Sequence, residues 1–207
     1  MTFACRPAPH PAYRRTVSLC DPLTPKPLYK MEEDWSGRST TYGQRRVEAY
    51  LRDHSQAGQT VFVTGVGNSL FAQDFADHFA GIDGVTLLPS EKVRADALGI
   101  PHYRVRVQNK YQNGLADAFG GAYDYIVDVN LASWACCQTH VAAMMRAYHR
   151  MLKSGGSILT DREGLDWLEK GVDPHWRMDF ADLQILAGEF GFTAQSRTDW
   201  VYALHKS

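Results

Sequence analysis

Past residue 45 the hydrophobic positions of this chain switch period repeatedly, from every second residue to every third or fourth and back. Thr60-Val61-Phe62-Val63-Thr64 is an apolar, β-branched run of strand length. Helical spacing then takes over at Leu70, Phe71, Phe75, Ala76 and Phe79, which predicts a strand at 60–64 and a helix over 69–79. Residues 81–84 hold two glycines and read as a break, so Val85-Thr86-Leu87-Leu88 is the expected second strand. A short helix follows over 91–98. Tyr103, Val105 and Val107 alternate with two arginines and mark a third strand at 103–107. Residues 114–121 are turn-rich, with a short helical piece. A fourth strand is expected at 123–129. A helix over 138–152 carries Val141, Met144, Met145, Tyr148 and Met151 on one face and is closed by Gly155-Gly156. A fifth strand at 157–160, a helix over 179–190 ended by Gly191, and strands at 192–197 and 200–205 complete the chain. Upstream, Val47, Tyr50 and Leu51 mark a helix over 45–53. There is no internal repeat. The alternation predicts an α/β fold of three layers: a mostly parallel sheet with helices on both faces, ending in an antiparallel strand pair.

Composition narrows the class of protein. A chain of 207 residues with 44% hydrophobic content buries one substantial core. Its 22 basic and 23 acidic side chains leave no electrostatic footprint for nucleic acid or an anionic membrane. No apolar run approaches the roughly 20 residues that span a bilayer. Pro7, Pro9 and Pro11 interrupt the N-terminus, which does not read as a secretory signal. The four cysteines are too few and too irregular for a disulfide framework, and no Cys or His spacing fits a structural zinc site. A reduced, cytoplasmic protein without a metal is expected. Residues 1–44 differ from the rest: prolines up to Pro27 favour an extended arm, punctuated by Tyr13, Tyr29, Trp35 and Tyr42. The expected division is an arm over 1–44 and one ligand-binding domain over 45–207. The arm serves either as a loosely packed tail or as a lid over a pocket, and an aromatic arm could also exchange between subunits of a homodimer.

The chemistry concentrates at Thr64-Gly65-Val66-Gly67-Asn68-Ser69, where the first strand passes through two glycines into helical sequence. Glycine frees the backbone for a tight turn and lets a ligand approach the main chain. Three further segments follow in order: Tyr123-Asp124-Tyr125-Ile126-Val127, Met151-Leu152-Lys153-Ser154-Gly155-Gly156, and Asp179 to Leu183 followed by Glu189-Phe190-Gly191-Phe192. With the glycine turn, these resemble the motifs of the class I S-adenosylmethionine-dependent methyltransferases over residues 45–205. The resemblance implies a Rossmann-like three-layer sandwich with a seven-stranded sheet, and S-adenosyl-L-methionine as cofactor. It places the methionyl part at Gly65, Val66, Gly67, Asn68 and Ser69. Gln108 and Asn109 fall beside the adenine, and Asn130 and Leu131 nearest the sulfur. In the same frame Tyr42 faces the cofactor, and Tyr29, Trp35 and Trp134 wall the substrate.

Departures from the family pattern matter as much. Val63 stands where an acidic residue usually precedes the first glycine. The second strand runs into Pro89 and Ser90, with Glu91 a little late, where a carboxylate usually takes both ribose hydroxyls. Gln108-Asn109 replaces the acid that follows the third strand. Either the site binds the same cofactor through amides, hydroxyls and backbone, or it has turned to another ligand or none. For proton transfer the candidates are His140, one turn into the helix after the fourth strand, and Asp161 at the end of the fifth, with a structural histidine and a helix N-cap as their ordinary alternatives. Cys136 and Cys137 are low-pKa thiols or small buried hydrophobes. Arg38, Arg45 and Arg46 are candidate partners of the cofactor carboxylate. Three functions fit these residues: a small-molecule methyltransferase of specialised biosynthesis, a cyclase or lyase that consumes the cofactor and releases methylthioadenosine, and a non-catalytic binding module. No Asn/Asp-Pro-Pro-aromatic motif is present, which argues against methylation of nucleic-acid or protein amino groups.

Overall fold

The computed structural model describes residues 34–207 apart from Gly121. Within that span lie seven strands, β1 (Thr60–Thr64), β2 (Gly81–Thr86), β3 (Tyr103–Val107), β4 (Tyr123–Val127), β5 (Leu152–Asp161), β6 (Phe192–Ser196) and β7 (Val201–Lys206). The helices are α1 (Tyr42–His54), α2 (Leu70–Phe75), α3 (Pro89–Ala97), α4 (Leu115–Phe119), α5 (Gln138–Met151), α6 (Arg162–Asp166) and α7 (Phe180–Glu189). The sheet order is β3-β2-β1-β4-β5-β7-β6. The first five strands in that order are parallel, and β7 runs antiparallel to both β5 and β6. This is the Rossmann-like seven-stranded architecture expected from the sequence.

Strand alternation builds the three layers directly, because successive side chains leave a strand on opposite faces. Phe62, Ile126, Ile158 and Leu204 point to one face and meet Met144, Met145 and Tyr148 of α5 and Leu183 and Leu186 of α7. Their neighbours Val61, Val63, Val127, Leu159 and Ala203 point to the other and meet Val47 and Leu51 of α1 and Phe71 and Phe75 of α2. Each fully buried Val, Leu, Ile, Phe or Met among them contributes roughly 1.5–3 kcal/mol. No helix among the described residues is long and apolar enough to cross a membrane.

The main differences from the sequence reading lie in three elements, each for a local reason. The second strand spans Gly81–Thr86 instead of 85–88, because Gly84 is a packing residue and no break. A Cβ there would overlap Val66 Cγ1 and stand 3.3 Å from the Val63 carbonyl oxygen, so glycine lets the β1 turn lie against β2. The second helix is cut to Leu70–Phe75, since the chain turns to feed β2 early. The fifth strand extends back through Gly155 and Gly156 to Leu152, with an irregular register against β4 between Tyr123 and Tyr125.

Two close approaches shape the end of the sheet where ligands of open α/β sheets bind. Gly43, in the first turn of α1, sits so near β4 and β5 that a Cβ would be 2.8 Å from Val129 Cγ1 and 2.9 Å from Asp161 Oδ1. Gly164 of α6 lies over the Val129 carbonyl in the same way.

Candidate functional site

At the C-terminal ends of β1 to β5 a cleft of about 690 Å³ opens, within the range of small-molecule sites. Its floor is the glycine turn. Gly65 and Gly67 adopt left-handed backbone, at φ 70° and 46°, which side chains rarely tolerate. The N–H groups of Gly65 and Val66 donate to the Val85 carbonyl, at 2.9 and 3.3 Å, and tie the turn to β2. The amide of Asn68 is fully engaged: its Oδ1 accepts from Leu70 N at 3.0 Å, at the start of α2, and its Nδ2 donates to the Arg38 carbonyl at 2.8 Å and to Thr40 Oγ1 at 3.2 Å. Asn68 therefore clamps residues 38–40 across the turn.

The described part of the arm forms a wall of this cleft. Trp35 Cβ lies 3.4 Å from where a Cβ on Gly67 would stand, and Arg38 stacks over the Trp35 ring at 4.4 Å. Tyr42, largely exposed, also lines the cleft. Tyr29, expected to join them, lies outside the described residues.

Glu91 changes the picture of a site stripped of carboxylates. Only four residues separate it from the end of β2, and the first turn of α3 folds it back over that strand. There it is 4% exposed, accepts the Thr86 hydroxyl, and accepts Trp35 N–H at 3.0 Å. A carboxylate therefore stands at the end of β2, carried by the following helix. Across the cleft, Glu48 of α1 is also buried and holds one hydrogen bond from Gln44 Nε2, at 3.1 Å. Desolvation raises its pKa above the ordinary carboxylate value, and the Gln44 bond only partly offsets this.

Beyond β4 the cleft rests on a buried ion pair. Lys110 Nζ donates to both oxygens of Asp128, at 2.8 and 2.9 Å, and to the Asn130 carbonyl at 2.9 Å. Tyr148 of α5 donates to Asp128 Oδ2 at 2.8 Å from below. Burial lowers the Lys110 pKa, while Asp128 opposes the shift. The ammonium also faces the Tyr111 and Trp134 rings, at 5.1 and 5.8 Å. Trp134 packs edge-on to Trp167 at 5.2 Å, and both line the cleft with Glu169.

The structure thus brings Trp35, Tyr42, Gly65, Val66, Gly67, Asn68, Gln108, Asn109, Asn130 and Trp134 to one cleft. It does not bring three others. Ser69 turns away in left-handed backbone, 1% exposed, with its hydroxyl 3.0 Å from the Tyr103 hydroxyl. Leu131 is fully buried in the α5-side core. His140 has no exposed surface, does not line the cleft, and aims Nδ1 at Cys136 and Cys137. Asp161 does reach the cleft, but its oxygens serve as the N-cap of α6 and as the partner of Arg46. It accepts Glu163 N–H at 3.0 Å and Gly164 N–H at 3.2 Å, and Arg46 binds it through Nε and Nη2, both at 2.8 Å. Its role is to lock α1, β5 and α6 together. Arg46 is likewise spent there, which leaves Arg38 as the arginine of the expected three that lines the cleft.

Lys110, Asp128 and Glu48 are functional candidates that sequence reasoning passed over. Asp128 gave one signal, a lone acid between Val127 and Val129 at the end of an apolar strand. A buried carboxylate needs a partner, but nothing local named Lys110.

Strand order, cleft position and glycine turn together give the chain the fold of the class I S-adenosylmethionine-dependent methyltransferases. No family model matches the chain, and no curated protein sequence matches it. Solved structures do. The N-methyltransferase NodS from Bradyrhizobium japonicum, in complex with S-adenosyl-L-homocysteine, aligns with a TM-score of 0.59 and 15% identity over 84% of this chain and 94% of that one. Magnesium protoporphyrin IX methyltransferase from Synechocystis, with bound S-adenosylmethionine, gives 0.56 and 15% over 84% and 88%. The [4+2]-cyclase SpnF gives 0.53 and 18% over 77% and 61%. At such identities the likeness carries the fold and leaves the reaction to the site.

Proposed function

We propose that this protein binds S-adenosyl-L-methionine in the cleft and transfers its methyl group to a small molecule. The observation that carries the reading is the coincidence of two features: the left-handed Gly65-Val66-Gly67 turn at the end of β1, and a buried carboxylate, Glu91, over the end of β2. The turn presents main chain to the methionyl part, and Arg38, which lines the same cleft, meets its carboxylate. Glu91 takes the ribose hydroxyls on the acceptor positions that Thr86 and Trp35 leave open. Gln108 and Asn109 face the adenine. Trp35 covers the turn.

Methyl transfer from a sulfonium is an in-line displacement, so the protein's work is alignment, exclusion of water and removal of an acceptor proton. His140 and Asp161 are engaged elsewhere. Glu48 fits the base: it is buried, lines the cleft and is raised in pKa. Trp134, Trp167 and Tyr42 wall the acceptor's space.

Two results are expected from substitutions here. Glu91→Gln removes charge-assisted bonds to the ribose, each worth about 1.5–3 kcal/mol. Calorimetry should find cofactor affinity lowered about tenfold or more, with the fold intact by circular dichroism. Glu48→Gln should lower turnover by about 10²-fold or more while leaving cofactor affinity nearly unchanged. Its effect on stability has a fixed sign. A carboxyl whose folded pKa is raised contributes stability that is complete below the ordinary carboxylate pKa and lost as pH rises through the folded value. The glutamine variant should therefore melt higher than wild type at neutral pH and at the same temperature in acid. A variant melting lower at neutral pH would show that Glu48 is stabilised by a partner as a carboxylate.

The reaction itself is tested by the nucleoside released on incubation with S-adenosylmethionine and a panel of amines, alcohols and carboxylic acids. S-adenosylhomocysteine signals methyl transfer. Methylthioadenosine would instead signal displacement at another carbon of the sulfonium, the second reading of the site. The [4+2]-cyclase on a similar fold shows that the fold alone does not fix the reaction.

A further inference from the structure

Between β4 and α5, beside the cleft wall, three side chains converge that the methyl-transfer reading does not use. Cys136 and Cys137 precede α5, and His140 lies in its first turn, where i+3 and i+4 neighbours share a face. Both Sγ atoms lie 3.2 Å from His140 Nδ1. All three potential donor atoms fall within 4.8 Å of one another. Cys137 and His140 are buried, and Cys136 is half-buried.

A thiol is a weak donor and a weak acceptor, whereas two thiolates and one imidazole are donors that a single borderline-soft metal ion binds at once. In a regular tetrahedron, Zn–S bonds of about 2.3 Å and Zn–N bonds of about 2.1 Å put sulfur and nitrogen about 3.6 Å apart. The observed spacing differs by a few tenths of an ångström. The donor set also selects the ion: thiolate and imidazole suit zinc, whereas oxygen ligands suit magnesium or calcium. The amino end of α5, a helix of 14 residues, favours the thiolate form of cysteines placed there.

We propose that Cys136, Cys137 and His140 form a site for a thiophilic divalent cation of the zinc type. Binding forms two metal–sulfur bonds and one metal–nitrogen bond and releases the two thiol protons to solvent. Three protein donors leave one position of the tetrahedron for water or another ligand. The ion acts as a clip. The segment it fastens to α5 carries Asp128, Asn130 and Trp134 into the cleft, so metal binding stiffens the wall that faces the acceptor.

Cobalt(II) is the probe, added to the full chain purified reduced and metal-free. One equivalent should produce a near-ultraviolet sulfur-to-cobalt charge-transfer band and the visible bands of a tetrahedral ion, and one equivalent of zinc should bleach both. Cys136→Ser, at the least buried ligand, should weaken cobalt binding by more than about tenfold and abolish the rise in melting temperature that zinc gives wild type. No charge-transfer band, or an undiminished band in Cys136→Ser, overturns the proposal. Should that variant fail to fold, alkylation of wild type with peptide mapping decides the matter. Zinc must slow modification of Cys136, and equal rates with and without zinc overturn the site.

Discussion

Replacing Gly164 with alanine is expected to cost about 3 kcal/mol and to lower the melting temperature by about 10 °C. The added methyl would stand inside contact distance of the Val129 carbonyl oxygen, 2.9 Å from the Val129 carbonyl carbon and 2.7 Å from Asn130 Oδ1. Two of those three atoms are backbone, so no rotamer change relieves the overlap. The strand end of β4 and the start of α6 must part, and Asp161 loses its cap geometry with them. Because Val129, Asn130 and Gly164 all line the cleft, ligand binding should fail together with stability. Gly188→Ala is the control. Gly188 lies within α7 with no atom within 4 Å of its added Cβ, and that variant should gain about 0.5–1 kcal/mol. Denaturant unfolding of the two variants checks the contrast.

Lys110→Met is expected to cost about 3–5 kcal/mol, the usual penalty for stripping one partner from a buried pair. Asp128 is 1% exposed, and without Lys110 the Tyr148 hydroxyl would remain, among the described residues, as the donor to its carboxylate. The loss belongs mostly to the orphaned charge, so Lys110→Met/Asp128→Asn should recover much of it. A double-mutant cycle by urea unfolding should give a coupling of about 2 kcal/mol or more, and additive effects would refute the pairing. Lys110 also grips the Asn130 carbonyl, so the single variant should loosen the cleft floor and weaken cofactor binding beyond its effect on stability.

The contrast between these two sites and the glycine turn explains what could be read from the chain. β1 was legible to the residue, because a β-branched run stopped by glycines has one local meaning. The limits of α1, α5 and α7 were legible within a few residues for a similar reason. β2 was misread because Gly84 looked like punctuation, when its missing Cβ makes room for Val66. The Lys110–Asp128 pair was illegible: Lys110 follows β3 and Asp128 follows β4, and the sheet places β2 and β1 between them. Glu91 lies late in the sequence for this role, and its return over β2 depends on how soon α3 begins. His140 and Asp161 have the residue types of proton-transfer groups at plausible positions. Their burial and partners, which decide their roles, are properties of packing and carry no local signature.

The central claim is that the cleft holds S-adenosylmethionine against Gly65, Gly67 and Glu91. Calorimetric titration of the full chain with S-adenosylmethionine and S-adenosylhomocysteine tests it most directly. One saturable site per chain is predicted for both ligands, weakened about tenfold or more in Glu91→Gln. No heat of binding at millimolar ligand, or equal affinity in wild type and Glu91→Gln, would contradict it.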